Sequence, residues 1–271
     1  MEQQVSPGAR IAPFLKWAGG KRWLTRRVEG IDLAKGTYFE PFLGSAAMFF
    51  HWRPRKAVLS DRNEALVGTY QAIKANPSKV VDYLRKHARL HSKEYYYQLR
   101  QMRCRNEFSK AAQFIYLNRT CWNGLYRVNR DGIFNVPKGT KTSVLLDEDD
   151  FNGVADLLKG SDIFSSDFEE QINKAKSGDM IFADPPYTVR HNFNGFVKYN
   201  EVLFSWDDQV RLKDALLRAK GRGAQVLLTN ADHESIRSLY SEGFVFDEAA
   251  RYSAISSTSG TRGKYSELLI S

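Results

Sequence analysis

The sequence predicts an α/β fold, a core of strands and helices broken by one basic, mainly helical insertion. Three observations carry this. Short apolar runs bounded by turn residues alternate with helical periodicity toward both ends of the chain. Between about residues 64 and 147 the strand signals give way to helical ones. Charge follows the same division: Tyr83 to Lys141 holds thirteen Lys and Arg against three acids, a local +10 in a chain of net +9, so the remainder is close to neutral.

Tyr38-Phe39 and Ala57-Val58-Leu59 read as buried strands around an apolar helix from Ser45 to Trp52, the opening of a βαβ unit. In the insertion, Pro77 to Leu90 and Ser92 to Asn106 read as helices, the second with Tyr95, Leu99 and Met102 on one face, and Lys110 to Asn118 as a third. A turn-rich stretch runs from Asn123-Gly124 to Lys141. Within it, Asp131-Gly132 between Tyr126-Arg127-Val128 and Ile133-Phe134 predicts a β-hairpin. Strand signals resume at Asp162-Ile163-Phe164, Met180 to Ala183 and Gln225 to Leu228, with helices from Asp207 to Lys220 and His233 to Ser241. Phe244-Val245-Phe246 and Ser266 to Ile270 are the last strand candidates. The expected division is a discontinuous core domain, 1–63 and 148–271, and an inserted domain, 64–147, with a hairpin near 123–137.

Composition narrows the function classes. Hydrophobic residues make up 42%, enough for a full core. No apolar stretch approaches the ~18 residues that span a bilayer, and Met1 to Pro13 lacks the pattern of a signal peptide. Two cysteines, Cys104 and Cys121, make no disulfide framework and predict a reducing, cytoplasmic setting. The five histidines set no ligand spacing and there is no CxxC, so no metal site is expected. A cationic module within a near-neutral protein points to a nucleic acid, through phosphate neutralisation; the plainer reading is a solvated helical surface.

Asp184-Pro185-Pro186-Tyr187 ends the apolar strand Met180 to Ala183. The prolines have no N–H, so they stop the ladder and stiffen a carboxylate, carbonyls and a ring at the carboxyl edge of a sheet, where open α/β folds bind ligands. A rigid acceptor pair beside an aromatic face suits a flat ring with an exocyclic amine. The bland reading is a Pro-stiffened turn with a solvated Asp. Glu40-Pro41-Phe42-Leu43-Gly44-Ser45-Ala46 follows the first strand and opens a helix, with Gly44 permitting close backbone approach. Asp61, just past the next strand, stands where dinucleotide folds bind ribose hydroxyls, so a nucleoside-bearing cofactor is implied; a helix N-cap is the alternative. Lys16-Trp17-Ala18-Gly19-Gly20-Lys21 lacks the P-loop spacing. Its Trp17 either offers a ring face or ties down an N-terminal arm.

These motifs in this order resemble a Dam-type DNA adenine-N6 methyltransferase of the D12 class, α group. The match extends to Tyr116-Leu117-Asn118-Arg119, Asn123-Gly124-Leu125, Arg127, Phe134-Asn135-Val136-Pro137, Ser256-Ser257 and Thr261-Arg262, and it covers about Pro13 to Ile270. The resemblance implies a Rossmann-like, class I methyltransferase sheet using S-adenosylmethionine, with 64–147 as target-recognition domain. It implies cofactor binding by Trp17, Lys21, Glu40, Phe42, Gly44, Asp61 and Asp184, and catalysis by Asp184, Pro185 and Tyr187. It further implies double-stranded DNA as partner, contacted by Lys16, Trp122, Asn123, Leu125, Arg127 and Pro137. Lys16 and Arg127 match guanine-contacting positions of GATC-specific members, and Trp122 matches a wedging aromatic. No obligate protein partner is expected, and a monomer is. Two departures stand out: Ala46 where many relatives have glycine, and Lys138-Gly139-Thr140 where GATC-specific members carry Phe-Gly-Arg. GATC leads as target, and a longer site containing GAT is the alternative. RNA adenine methylation and a catalytically silent DNA-binding protein are the competing functions.

Overall fold

The computed structural model describes residues 11–17, 19–21, 23–28, 33, 36–129, 132–189, 204–252 and 264–271. In chain order its elements are β1 (Tyr38–Glu40), α1 (Ala47–Trp52), β2 (Ala57–Asp61), α2 (Glu64–Ala75), α3 (Pro77–Leu90), α4 (Lys93–Gln101), α5 (Glu107–Thr120) and α6 (Phe151–Leu158). They continue with β3 (Ser161–Ser165), α7 (Phe168–Ile172), β4 (Met180–Ala183), α8 (Trp206–Gly221), β5 (Gln225–Ala231), α9 (Glu234–Leu239), β6 (Phe246–Tyr252) and β7 (Lys264–Ile270). The chain forms two compact units. One comprises Met1–Ile31, Leu43–Arg55 and Asn63–Ser165; the other comprises Asp32–Phe42, Lys56–Arg62 and Ser166–Ser271.

The second unit carries the strands in the order β2-β1-β4-β5-β7-β6. β1 is parallel to β2 and β4, and β4 is parallel to β5, while β5-β7 and β7-β6 are antiparallel. This is the Rossmann-like α/β sheet that the motifs implied, with an antiparallel hairpin at one end. β4 is buried at all four positions, which is why it reads as an unbroken apolar run. Ile181, Val226 and Leu228 pack with Leu212, Ala215 and Leu216 of α8 in one apolar cluster. A capping box starts α8: Ser205 Oγ accepts the Asp208 N–H at 3.1 Å, and Asp208 Oδ2 accepts the Ser205 N–H at 2.9 Å. β1 sits where the chain order turns back on itself, and in open α/β sheets that switch point is where ligands gather.

The first unit is mainly helical. Asn76 caps α3 with Pro77 in its first turn, and these signals set its start where the sequence placed it. Helix α4 stops at Gln101 rather than Asn106, because Met102 is extended and Asn106 instead caps α5 through the Ser109 N–H at 2.9 Å. Accordingly α5 starts at Glu107, earlier than the expected Lys110. Three helices were not singled out from sequence, α2, α6 and α7, each started by a side-chain cap from Asn63, Asp150 or Asp167. Side chains of α2 hold β3: Gln71 Nε2 donates to the Ile163 carbonyl at 2.8 Å and Lys74 Nζ to that of Ser161 at 2.5 Å.

The expected hairpin is present as an antiparallel bridge between Val128 and Phe134, with the Asn129 N–H donating to the Ile133 carbonyl at 2.8 Å. Residues 130–131 at its tip, and the 256–257 and 261–262 motif residues, lie outside the described residues. β6 begins at Phe246 rather than Phe244, and Val245 exchanges two backbone hydrogen bonds with Ser271 instead.

Candidate active site

Three adjacent parallel strands, β2, β1 and β4, end at one edge of the second unit, and each has an acid at or just past its end. Leu59 pairs with Glu40, and Asp61 follows two residues later; Ile181 pairs with Phe39, and Asp184 follows three residues later. Glu40 is buried, and its Oε2 accepts the Tyr38 hydroxyl at 2.9 Å. Burial, then the Glu40 charge, hold the Tyr38 phenol well above its ordinary pKa. Asp61 ends β2, whereas the cap of the following helix is Asn63, whose Oδ1 accepts the Leu66 N–H at 3.1 Å. The capping alternative for Asp61 is therefore taken by its neighbour. Phe42 stacks on Phe168 at 5.4 Å and meets Phe204 edge-on at 5.5 Å.

The motif after β4 is held from the sheet. Thr229 Oγ1 of β5 donates to Asp184 Oδ1 at 2.6 Å, Pro185 is buried, and the Tyr187 hydroxyl donates to Glu267 Oε2 of β7 at 2.9 Å. Burial first, then the Asp184 and Glu267 charges, push the Tyr187 phenol well above its ordinary pKa. Beneath lies a buried polar chain: Thr188 Oγ1 donates to the Phe204 carbonyl at 2.6 Å, Gln209 Nε2 to the Thr188 carbonyl at 3.4 Å, and Asn230 Nδ2 to Gln209 Oε1 at 3.2 Å. A satisfied buried network of this kind rigidifies what it supports.

Within the first unit, Lys16, Trp17, Lys21 and Gly44 are brought together with the base of the hairpin. The Trp17 ring stacks at 5.6 Å on Tyr126 and at 6.4 Å on Phe114. Gly44 has φ +46°, and a Cβ there would sit 2.7 Å from Trp17 Cδ1, so the space the glycine leaves is filled by the indole. Tyr70 donates from its hydroxyl to the Gly44 carbonyl at 3.1 Å. Ala46 caps α1 at φ +53°, in the left-handed region where a glycine would be unstrained. Lys21 is buried, with Nζ donating to the Gly19 carbonyl at 2.7 Å. Asn118 clamps the Lys16 backbone from both sides, accepting its N–H at 2.9 Å and donating to its carbonyl at 2.8 Å. The Lys16 stem lies across Gly124, where φ is +66° and a Cβ would meet Lys16 Cδ at 2.7 Å. Partial burial and the neighbouring Lys141 amine lower the Lys16 pKa to about 8.

Trp122 is 56% exposed, and Asn123, Arg127 and Pro137 are exposed beside it, while Leu125 is half-buried. Arg127 Nε donates to Asn135 Oδ1 at 2.8 Å. The Trp122 N–H donates to the Pro137 carbonyl at 2.8 Å, which closes the segment on itself. Arg119 differs from the other cations of the basic window. It is 3% exposed and paired with Asp149 at 2.6 Å, so it braces the unit and offers nothing to a phosphate. Sequence reasoning gave no role to Thr229, Glu267, Asn118 or Arg119. For Glu267 a signal existed: one carboxylate directly before the apolar run Leu268-Leu269-Ile270 within a strand.

Among the described residues, no group of three metal-ligating side chains occurs and no helix is long and apolar enough to cross a membrane. A family profile for D12 class N6 adenine-specific DNA methyltransferases matches residues 17–254. The chain is 35% identical to the Type II methyltransferase M1.LlaDCHI of Lactococcus lactis subsp. cremoris, covering 96% of this chain and 95% of that one. It is 34% identical to the Type II methyltransferase M.MjaIII of Methanocaldococcus jannaschii, over 86% and 89% of the two chains. It is 31% identical to the DNA adenine methylase of Salmonella typhi, over 94% and 93%. With a strand edge that ends in a braced carboxylate and ring, and a profile match across most of its length, the chain belongs to the D12 class of N6 adenine-specific DNA methyltransferases.

Proposed function

We propose that the chain methylates N6 of adenine in duplex DNA with S-adenosylmethionine as donor, GATC being the leading target, by flipping the base against Asp184-Pro185-Pro186-Tyr187. The observation that carries this is the bracing of Asp184 by Thr229 and of Tyr187 by Glu267. The donor set fits the cofactor: Asp61 at a strand end suits a ribose diol, and Glu40 and Phe42 add an acceptor and an apolar wall at the same edge. Trp17, Lys21 and Gly44, in the other unit, are assigned to it by resemblance. When bound, S-adenosylmethionine supplies an electrophilic methyl group.

A paired, stacked adenine cannot reach a protein carboxylate, so the base leaves the helix and its ring stacks on Tyr187. The Asp184 carboxylate and the Pro185 carbonyl accept the two N6 hydrogens, which turns the amine lone pair out of conjugation. Positive charge growing on N6 is stabilised by that carboxylate and carbonyl dipole, and positioning contributes the rest. Asp184 need not be a strong base, since the N6 proton becomes acidic only as transfer proceeds. In the inserted region 64–147, Arg127 reads a guanine edge, as Lys16 does from the N-terminal segment, Trp122 wedges the opened duplex, Asn123, Leu125 and Pro137 contact the DNA beside them, and exposed arginines such as Arg103 follow phosphates. The relatives' Type II names support a place beside a restriction enzyme.

The test is methyl transfer to DNA from a methylation-deficient host, with the product mapped by methylation-sensitive sequencing. N6-methyladenine at GATC is expected, and Asp184→Ala is expected to abolish it while the protein stays folded. Normal turnover by folded Asp184→Ala, or methylation of structured RNA in place of duplex DNA, contradicts the proposal.

A further inference from the structure

Glu267 is 6% exposed on β7, and its carboxylate accepts the Tyr187 hydroxyl at 2.9 Å from 80 residues away. β5 lies between β4, which ends at the motif, and β7. The residue opposite Glu267 on β5 is Ala231, whose methyl leaves the carboxylate room to reach across the strand toward Tyr187. Leu268, Leu269 and Ile270 beside it are apolar and buried, so packing alone would favour another aliphatic residue, and a buried carboxylate is costly to desolvate. Methyl transfer itself places no demand on this group.

We propose that Glu267 is a positioning residue for methyl transfer, acting through Tyr187: it fixes the rotation of the ring and enriches its face in electrons. The inference rests on the reading that the target base stacks on Tyr187. A phenol that donates to a carboxylate carries more negative charge into its ring, and the face of such a ring attracts an amine on which positive charge is growing. The same bond occupies the phenol proton, so Tyr187 serves as a surface and neither gives nor takes a proton. The phenol's raised pKa, from burial and from the Asp184 and Glu267 charges, agrees with that division.

The experiment uses the full chain, unmethylated duplex plasmid DNA and tritiated S-adenosylmethionine. It compares Glu267→Leu, Glu267→Gln, Tyr187→Phe, the double variant Tyr187→Phe/Glu267→Leu, and Tyr187→Ala. Thermal melts and S-adenosylmethionine binding are measured on each. Glu267→Leu is expected to lower kcat about tenfold or more, with KM for DNA and cofactor affinity changed by less than about twofold. Glu267→Gln is expected to recover part of kcat, because its amide oxygen still accepts the phenol but brings no negative charge. In the Tyr187→Phe background Glu267→Leu should cost nothing further. A Glu267→Leu enzyme at parental kcat, or an equal loss in the Phe background, overturns the inference. If Glu267→Leu does not fold, Tyr187→Phe decides, since it keeps the ring and removes the bond; parental kcat there overturns it too. Tyr187→Ala at parental kcat would show instead that the stacking reading has failed.

Discussion

Replacing Asp149 tests whether the basic window is uniformly a DNA surface. All five guanidinium hydrogens of Arg119 are used: Nε donates to the Phe14 carbonyl at 3.3 Å, Nη1 to the Val144 carbonyl at 2.8 Å and to Asp149 Oδ2 at 2.6 Å, and Nη2 to Phe14 at 2.9 Å and to Asp149 Oδ1 at 2.6 Å. Asp149 also accepts the Leu146 N–H at 2.8 Å. The two side chains are 3% and 8% exposed, so water cannot replace a lost partner. Asp149→Ala leaves a buried guanidinium holding carbonyls alone, a change that costs about 3–5 kcal/mol where such pairs have been broken. For a chain of this size each kcal/mol moves Tm by about 2–4 °C, so a fall of about 6 °C or more is expected in a calorimetric melt. The salt dependence of DNA binding, measured on the folded variant at low temperature, should keep its slope. A Tm within about 1 °C of the parent would refute the bracing role. So would an Arg119→Ala variant of parental stability whose salt slope falls by about one, the signature of a lost phosphate contact.

Arg127→Ala is expected to relax sequence choice, with about 1–3 kcal/mol of discrimination lost, whereas Arg103→Ala weakens all sequences alike and flattens the salt slope; equal effects from both, in competition binding, contradict that division. Ala46→Gly relieves about 1–2 kcal/mol of left-handed strain and loses about 0.8 kcal/mol of methyl burial, so melts should show unchanged or slightly raised stability; a clear loss would mean that Ala46 is not strained. Burial, then Lys86, lower the His87 pKa from 6.5 to about 4. Between those values the unfolded state binds the proton more tightly, so His87's contribution is complete above about pH 6.5 and is lost as pH falls toward 4, by at most about 3 kcal/mol. His87→Gln should flatten denaturant stability against pH in that window, and an unchanged slope there would refute the assignment.

How far the sequence revealed the fold depended on how local each cause is. β4 was readable to the residue, because Pro185 ends the ladder two positions after its last residue, and α3 because Asn76 and Pro77 mark its start. The end of α4 was not, since Gln113 Nε2 from α5 donates to the Leu99 and Met102 carbonyls at 2.6 and 2.7 Å and satisfies the backbone where the helix stops. The site divides in the same way. Asp184, Asp61 and Gly44 announce themselves by their place beside strands and turns. Thr229 and Glu267 reach the motif only after the chain has returned to the sheet 45 and 80 residues later. Arg119 looked like one more surface cation because its partner is 30 residues downstream.

The closure of residues 122–137 at their base has a consequence for how such a protein diversifies. The Trp122 amide meets the Pro137 carbonyl at 2.8 Å, and Cys121 bridges Lys138 just outside it, so entry and exit of residues 122–137 are pinned side by side. Exposed positions between the pins, such as Trp122, Asn123 and Arg127, can be substituted without touching the anchoring backbone, whereas Gly124 and Tyr126 are held by Lys16 and Trp17. A segment tied at its base in this way can vary at its exposed positions while the fold beneath it stays as it is.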